Sequence, residues 1–166
     1  MFLRFAFALL VFVSLPLVAA ERELPTAKEV MKKHQAEIQN DLGNVDYNRK
    51  RVVEANMELE GEENELFWPI YNTYRAEADK LNKKTLEIMI DYGQAYNKGY
   101  VTDELATDLL GRVYALQEDQ IKLRERYTRR FADKVSPKRA MRFLQIETQL
   151  DAITTLDIGR KLPLAD

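Results

Sequence analysis

Cysteine is absent from the 166 residues, which excludes a disulfide framework, a thiol nucleophile and a lipoprotein anchor. Histidine occurs once, at His34, and beyond residue 20 serine occurs once, at Ser136. A Ser–His triad would have to join these two, and Ser136 is better used as a helix cap in front of Pro137. With a single histidine, one subunit also lacks the ligands for a zinc or copper site. The acids from Glu60 to Glu65 do not follow the calcium-loop spacing, and the six glycines are isolated, so there is no glycine-rich phosphate loop. The sequence therefore predicts no catalytic residue, no metal site and no cofactor: a binding protein rather than an enzyme. No run alternates with period two for long enough to make a strand, so the expected fold class is all-α.

The first twenty residues stand apart. Arg4 is the only charge before an apolar run from Phe5 to Val18, and Val18-Ala19-Ala20 supplies the small residues that signal peptidase requires. The run is shorter than the ~20 residues that span a bilayer. A signal peptide over residues 1–20, cut after Ala20, is expected, with a single helical domain over 21–166 and a periplasmic location. Without Arg4 the chain keeps 24 of its 25 basic residues against 27 acids, a net charge of −3. That balance does not point to nucleic acid.

Along the chain, Thr26 is placed to cap a helix running toward Asp41, with Val30, His34 and Ile38 on its apolar face. Gly43-Asn44 is the expected break, followed by a polar helical segment from Tyr47 to Met57. From Glu60 to Asn97 the residues Phe67, Tyr71, Tyr74, Ala78, Leu81, Thr85, Ile88, Tyr92 and Ala95 recur in steps of 4 and 3. This is a heptad seam on a helix ~57 Å long at 1.5 Å per residue. Pro69 should bend it, because it lies beyond the first turn. Asn97 to Tyr100 reads as a turn, and Thr102 caps a second long helix carrying Ala106, Leu109, Val113, Leu116, Gln120, Leu123 and Tyr127. Ser136-Pro137 opens a last helix with Phe143, Ile146, Leu150 and Ile153 on one face, ending near Gly159. The expected architecture is a long antiparallel helical hairpin with additional N- and C-terminal helices. Helices paired only two or three deep bury little core, which favours a homodimer.

The charges are unevenly placed. Lys122 to Arg142 holds nine bases against Glu125 and Asp133, whereas Glu54 to Glu65 holds six acids and no base. In an antiparallel hairpin the two blocks share one end, so they either pair or lie side by side, each complementing its own helix dipole. Alternatively, Arg126, Arg129, Arg130 and Arg139 form a cationic patch for a protein partner or a membrane surface. Trp68, the only tryptophan, lies off the seam beside Pro69, and with Ile70 it is a candidate for exposed or interfacial apolar surface. The candidate protein-binding residues are thus Trp68, Ile70, Arg126, Arg129, Arg130 and Arg139.

Leu59-Glu60-Gly61-Glu62-Glu63 and Val135-Ser136-Pro137-Lys138-Arg139 lie about 76 residues apart at predicted helix starts. There the chain resembles the Spy/CpxP-like family of exported helical proteins, whose mark is Leu-Thr-x-x-Gln. The second segment keeps a hydroxyl cap, the first has Glu60 in its place, and neither keeps the glutamine. The FWPIYNTY block combined with FLQIETQLDA is similar to an uncharacterised periplasmic subgroup. The resemblance implies a cradle-like dimer acting as an ATP-independent chaperone, or holdase, on unfolded or partly folded envelope proteins. The other implied role is an envelope-stress regulatory subunit on the periplasmic domain of a sensor kinase.

Overall fold

The computed structural model describes residues 24–165; the expected signal peptide at 1–20 lies outside the described residues. Among the described residues the chain is all-helical: α1 Ala27–Lys33, α2 Gln35–Met57, α3 Glu62–Asn97, α4 Asp103–Lys134 and α5 Pro137–Gly159. None of these helices is long and apolar enough to cross a membrane.

Local chemistry sets most of the boundaries. Thr26 starts α1 with a capping box: its hydroxyl accepts from Glu29 N, while Glu29 Oε2 accepts from Thr26 N at 2.8 Å. Thr102 accepts from Leu105 N, and Ser136 accepts from Arg139 N ahead of Pro137, each at 3.2 Å. The expected break at Gly43-Asn44 is absent, because α2 runs straight through it. A helical glycine costs only ~1 kcal/mol relative to alanine, and the contacts α2 makes at Arg49, Val53 and Met57 outweigh that. The interruption falls at His34 instead, where φ −104 and ψ 20 close α1 while Ile38 N still donates to the His34 carbonyl. His34 is exposed rather than on a buried face, and its ring lies 3.3 Å from Glu37.

The link from α2 to α3 is tight. Glu58 is left-handed at φ 52 and ψ 47, and Gly61 has φ 49 and ψ −124. The second conformation is closed to residues with a Cβ, which explains a glycine there. After it α3 continues unbroken through Pro69.

The core gathers where α3, α4 and α5 meet. Phe67 stacks on Phe131 at 4.6 Å, Phe131 meets Phe143 at 4.4 Å, and Tyr74 packs edge-on against Phe143 and Tyr127 at 5.1 and 5.4 Å. Val53 and Met57 close this cluster from α2. The heptad seam on α3 is buried from Phe67 to Ala78 and again at Ala95, but Leu81, Thr85, Ile88 and Tyr92 are only half-buried. On α5 the apolar face is buried at Phe143 and Ile146, half-buried at Leu150 and exposed at Ile153. Between α3 and α4, ion pairs join Asp91 to Arg112, Lys84 to Asp119 and Glu77 to Arg126. Each step falls by seven residues on α3 and rises by seven on α4, the spacing of two helical turns.

Candidate functional site

Glu147 of α5 has no solvent-exposed surface, yet it is a carboxylate. It sits four residues after Phe143 and three before Leu150, on the apolar face of its own helix. An isolated charge there would be prohibitive, so partners must surround it. Tyr71 and Tyr74 of α3 donate their hydroxyls to its two oxygens at 3.4 and 3.1 Å. Arg49 Nε of α2 lies 3.3 Å from Oε2 and Arg75 Nη1 of α3 lies 3.8 Å from it. The Arg49 Nε–H is not aligned for a hydrogen bond, so that contact is Coulombic.

The network extends outward from this centre. Arg49 is itself buried, donates to the Glu147 main-chain carbonyl at 3.3 Å, and pairs with Asp151. Asp151 accepts from Arg124 of α4 at 3.0 Å through its other oxygen. Arg75 reaches Asp46 of α2 at 2.5 Å and Asp79 at 3.3 Å. All four long helices are thereby tied to one charged cluster. Burial, then the charge of Glu147, raises the phenol pKa of both Tyr71 and Tyr74. Burial works against the Arg75 cation, but Glu147 and Asp46 outweigh it and hold its pKa above the ordinary value. Asp79 is pushed up from 3.8 to about 6, first by burial and then by its contact with the Asp46 carboxyl.

Beside the cluster a groove of about 560 Å³ opens among α2, α3, α4 and α5. Arg49, Arg75, Arg124 and Asp151 line one end, and Leu42, Leu86, Met89 and Ile158 line the other. A second surface lies on α4, where Leu110, Tyr114 and Ile121 are 55%, 67% and 60% exposed. Spaced by 4 and 7, they share one outer face of the helix.

The residues singled out from sequence separate here. Ile70 is not surface: it is 5% exposed and sits in the core cluster, because the turn that carries Phe67 and Tyr71 inward also turns it toward that core. Trp68 is half-buried, packed edge-on against Phe67 and Tyr71, with Nε1 donating to Asn64 at 3.3 Å. Arg139 is not part of an open patch, since it chelates Glu63 at 2.8 to 3.1 Å and donates to the Met57 carbonyl at 3.0 Å. That bond holds the Glu63 carboxyl below the usual range. It also joins the two segments, Leu59 to Glu63 and Val135 to Arg139, that precede α3 and α5. Arg142 pairs with Glu58 at 2.7 Å, so part of the basic block does meet the acidic one. Arg126, Arg129 and Arg130 remain exposed on α4. Arg126 pairs with Glu77, Arg129 with Glu125, and Arg130 lies over the Tyr127 ring at 5.9 Å.

The apolar periodicity does not single out Glu147, Arg49 or Arg75. A signal was present, since Arg49 is four residues before Val53 and Arg75 four after Tyr71, each charge at a core spacing. No family model matches the chain, and neither a curated protein nor a solved structure does.

Proposed function

We propose that this chain is a periplasmic, ATP-independent holdase that shields apolar segments of unfolded or partly folded envelope proteins. The observation that carries the reading is the outer face of α4, where Leu110, Tyr114 and Ile121 stand exposed on the same helix as Arg126, Arg129 and Arg130. Large apolar side chains exposed along one helix face give a surface that takes hydrophobic segments with little demand on sequence. The seven-residue ladder of ion pairs supports reading α3 and α4 as a long antiparallel hairpin. A second copy in a cradle-like dimer is the partner this architecture would use to shelter surface that α5 leaves open. Export and membership of the Spy/CpxP-like group are part of the same reading, supported by the apolar leader and the two helix-start segments.

The test is suppression of aggregation of an unrelated unfolding protein by the purified chain at near-stoichiometric ratio. Tyr114→Glu combined with Ile121→Glu should reduce suppression several-fold with the helical circular dichroism unchanged. No suppression at severalfold excess of wild-type protein removes the reading. A regulatory subunit bound to the periplasmic domain of a sensor kinase is the second reading, favoured by the exposure of Arg126, Arg129 and Arg130. It predicts a single partner retained from an envelope extract and lost when all three are changed to Glu.

A further inference from the structure

The charged cluster holds more acids than bases. Asp46, Asp79, Glu147 and Asp151 face Arg49, Arg75 and Arg124, four carboxyls against three guanidiniums. The imbalance falls between α2 and α3. Asp46 and Asp79 both accept from the same Arg75 Nη2, at 2.5 and 3.3 Å, which sets the two carboxyls side by side. Asp79 also accepts from the Asn82 amide at 3.4 Å. Among the described residues Arg75 is the sole ion-pair partner of both acids. The other charges of the cluster, Arg49 of α2, Arg124 of α4, and Glu147 and Asp151 of α5, are engaged with one another.

This pair sits on the weakly held part of α2. From Gln35 to Asn48 no side chain is buried, and only Ile38, Leu42 and Asp46, one per turn, are half-buried. Arg49, Val53 and Met57 anchor the helix beyond them. Gly43 lowers the helix propensity of this half, and nothing stands within 4 Å of where its Cβ would be. A segment with so few buried contacts opens at lower cost than the whole molecule unfolds. Its Leu42 and Val45 line the groove together with Leu86 and Met89 of α3 and Ile158 of α5, so lifting it exposes apolar surface.

Two carboxylates that share one donor repel each other, and a proton held between them replaces repulsion by a hydrogen bond. We propose that the first half of α2 is a proton-controlled cover of the groove: one proton held by the Asp46–Asp79 pair closes it on α3, and release of that proton lets it open. Burial, then the contact with Asp46, pushes the Asp79 carboxyl up from 3.8 to about 6. The closed form therefore keeps a proton that the open form releases, and closure is complete at low pH and lost as pH rises through that window. The proposal is independent of the holdase reading, which rests on the outer face of α4.

The experiment is amide hydrogen exchange of the purified chain, read by mass spectrometry on peptides covering 35–48 of α2 and 116–131 of α4, for wild type and Asp79→Asn. At pH ~7.5 the wild-type amides of 35–48 should exchange ahead of those of 116–131, the mark of opening without global unfolding. Asp79→Asn, which keeps a donor facing Asp46 at every pH, should slow exchange in 35–48 roughly fivefold at pH ~7.5 and leave it nearly unchanged at pH ~4. Comparison at one pH removes the intrinsic pH dependence of exchange. If the variant does not fold, wild type alone carries the test: with the intrinsic rate divided out, protection of 35–48 should fall roughly fivefold from pH ~4 to pH ~7.5. Exchange of 35–48 no faster than that of 116–131, no slowing by folded Asp79→Asn at the higher pH, or pH-independent protection of 35–48 in wild type overturns the proposal.

Discussion

Replacing Glu147 by glutamine removes one negative charge from the centre of the molecule while keeping its shape. The carboxylate is fully buried and faces Tyr71, Tyr74, Arg49 and Arg75. Breaking a buried ion pair from one side costs ~3–5 kcal/mol, since the remaining charge stays desolvated. Here both arginines keep other acids, Arg49 through Asp151 and Arg75 through Asp46 and Asp79, and glutamine can still accept from a tyrosine hydroxyl. The cost should therefore fall near the lower limit, about 3 kcal/mol. Glu147→Leu should cost more, because two buried phenol hydroxyls also lose their acceptor at ~1–3 kcal/mol each. Pairing Glu147→Leu with Arg49→Met should recover part of the loss, since apolar replacement of both partners leaves fewer stranded charges. The assay is urea unfolding with linear extrapolation, followed by the fluorescence of Trp68, the only tryptophan, which packs on Phe67 and Tyr71 at the core edge. A change under ~0.5 kcal/mol for Glu147→Gln would place it with ordinary surface substitutions and refute the argument. So would simple additivity of the Glu147 and Arg49 substitutions, because residues in one network must couple.

Gly61→Ala should destabilise the fold by ~1–3 kcal/mol although nothing crowds a Cβ there, because the penalty lies in the backbone conformation; urea unfolding measures it. Asp79 has a folded pKa raised from 3.8 to about 6, so between those values the folded state holds a proton that the unfolded state has released. Stability contributed by that proton is complete at low pH and lost as pH rises through the window. Asp79→Asn should thus be more stable than wild type at pH ~8, by about 1 kcal/mol once solvent screening of a partly exposed group is allowed for, and no more stable at pH ~4. Arg139→Gln should lower the urea midpoint at neutral pH. It should also flatten the loss of stability on acidification, because the Glu63 carboxyl, held below its usual range by Arg139, contributes stability above its ordinary pKa and loses it as pH falls.

How far the fold was readable depended on whether a signal was local. Thr26, Thr102 and Ser136 each placed a helix start from one residue type and its neighbours, and all three hydroxyls accept the expected main-chain N–H. Gly43 misled because propensity is a small term. About 1 kcal/mol against glycine does not break a helix that is anchored further along its length, and the anchor, Arg49 with Val53 and Met57, is a tertiary fact. Ile70 misled in the opposite way: a strict heptad seam is a narrow stripe, and α3 buries a wider face near the point where α4 and α5 both pack on it. Arg139 was grouped with Arg126, Arg129 and Arg130 because charge density along the sequence does not say which bases find an acid. Only the return of α5 over the α2–α3 turn brings Glu63 to it. Glu147 was the largest omission, and its cause is general. A carboxylate among apolar residues reads as a solvated interruption until partners more than 70 residues away on other helices, Tyr71, Tyr74, Arg75 and Arg49, are known to converge on it.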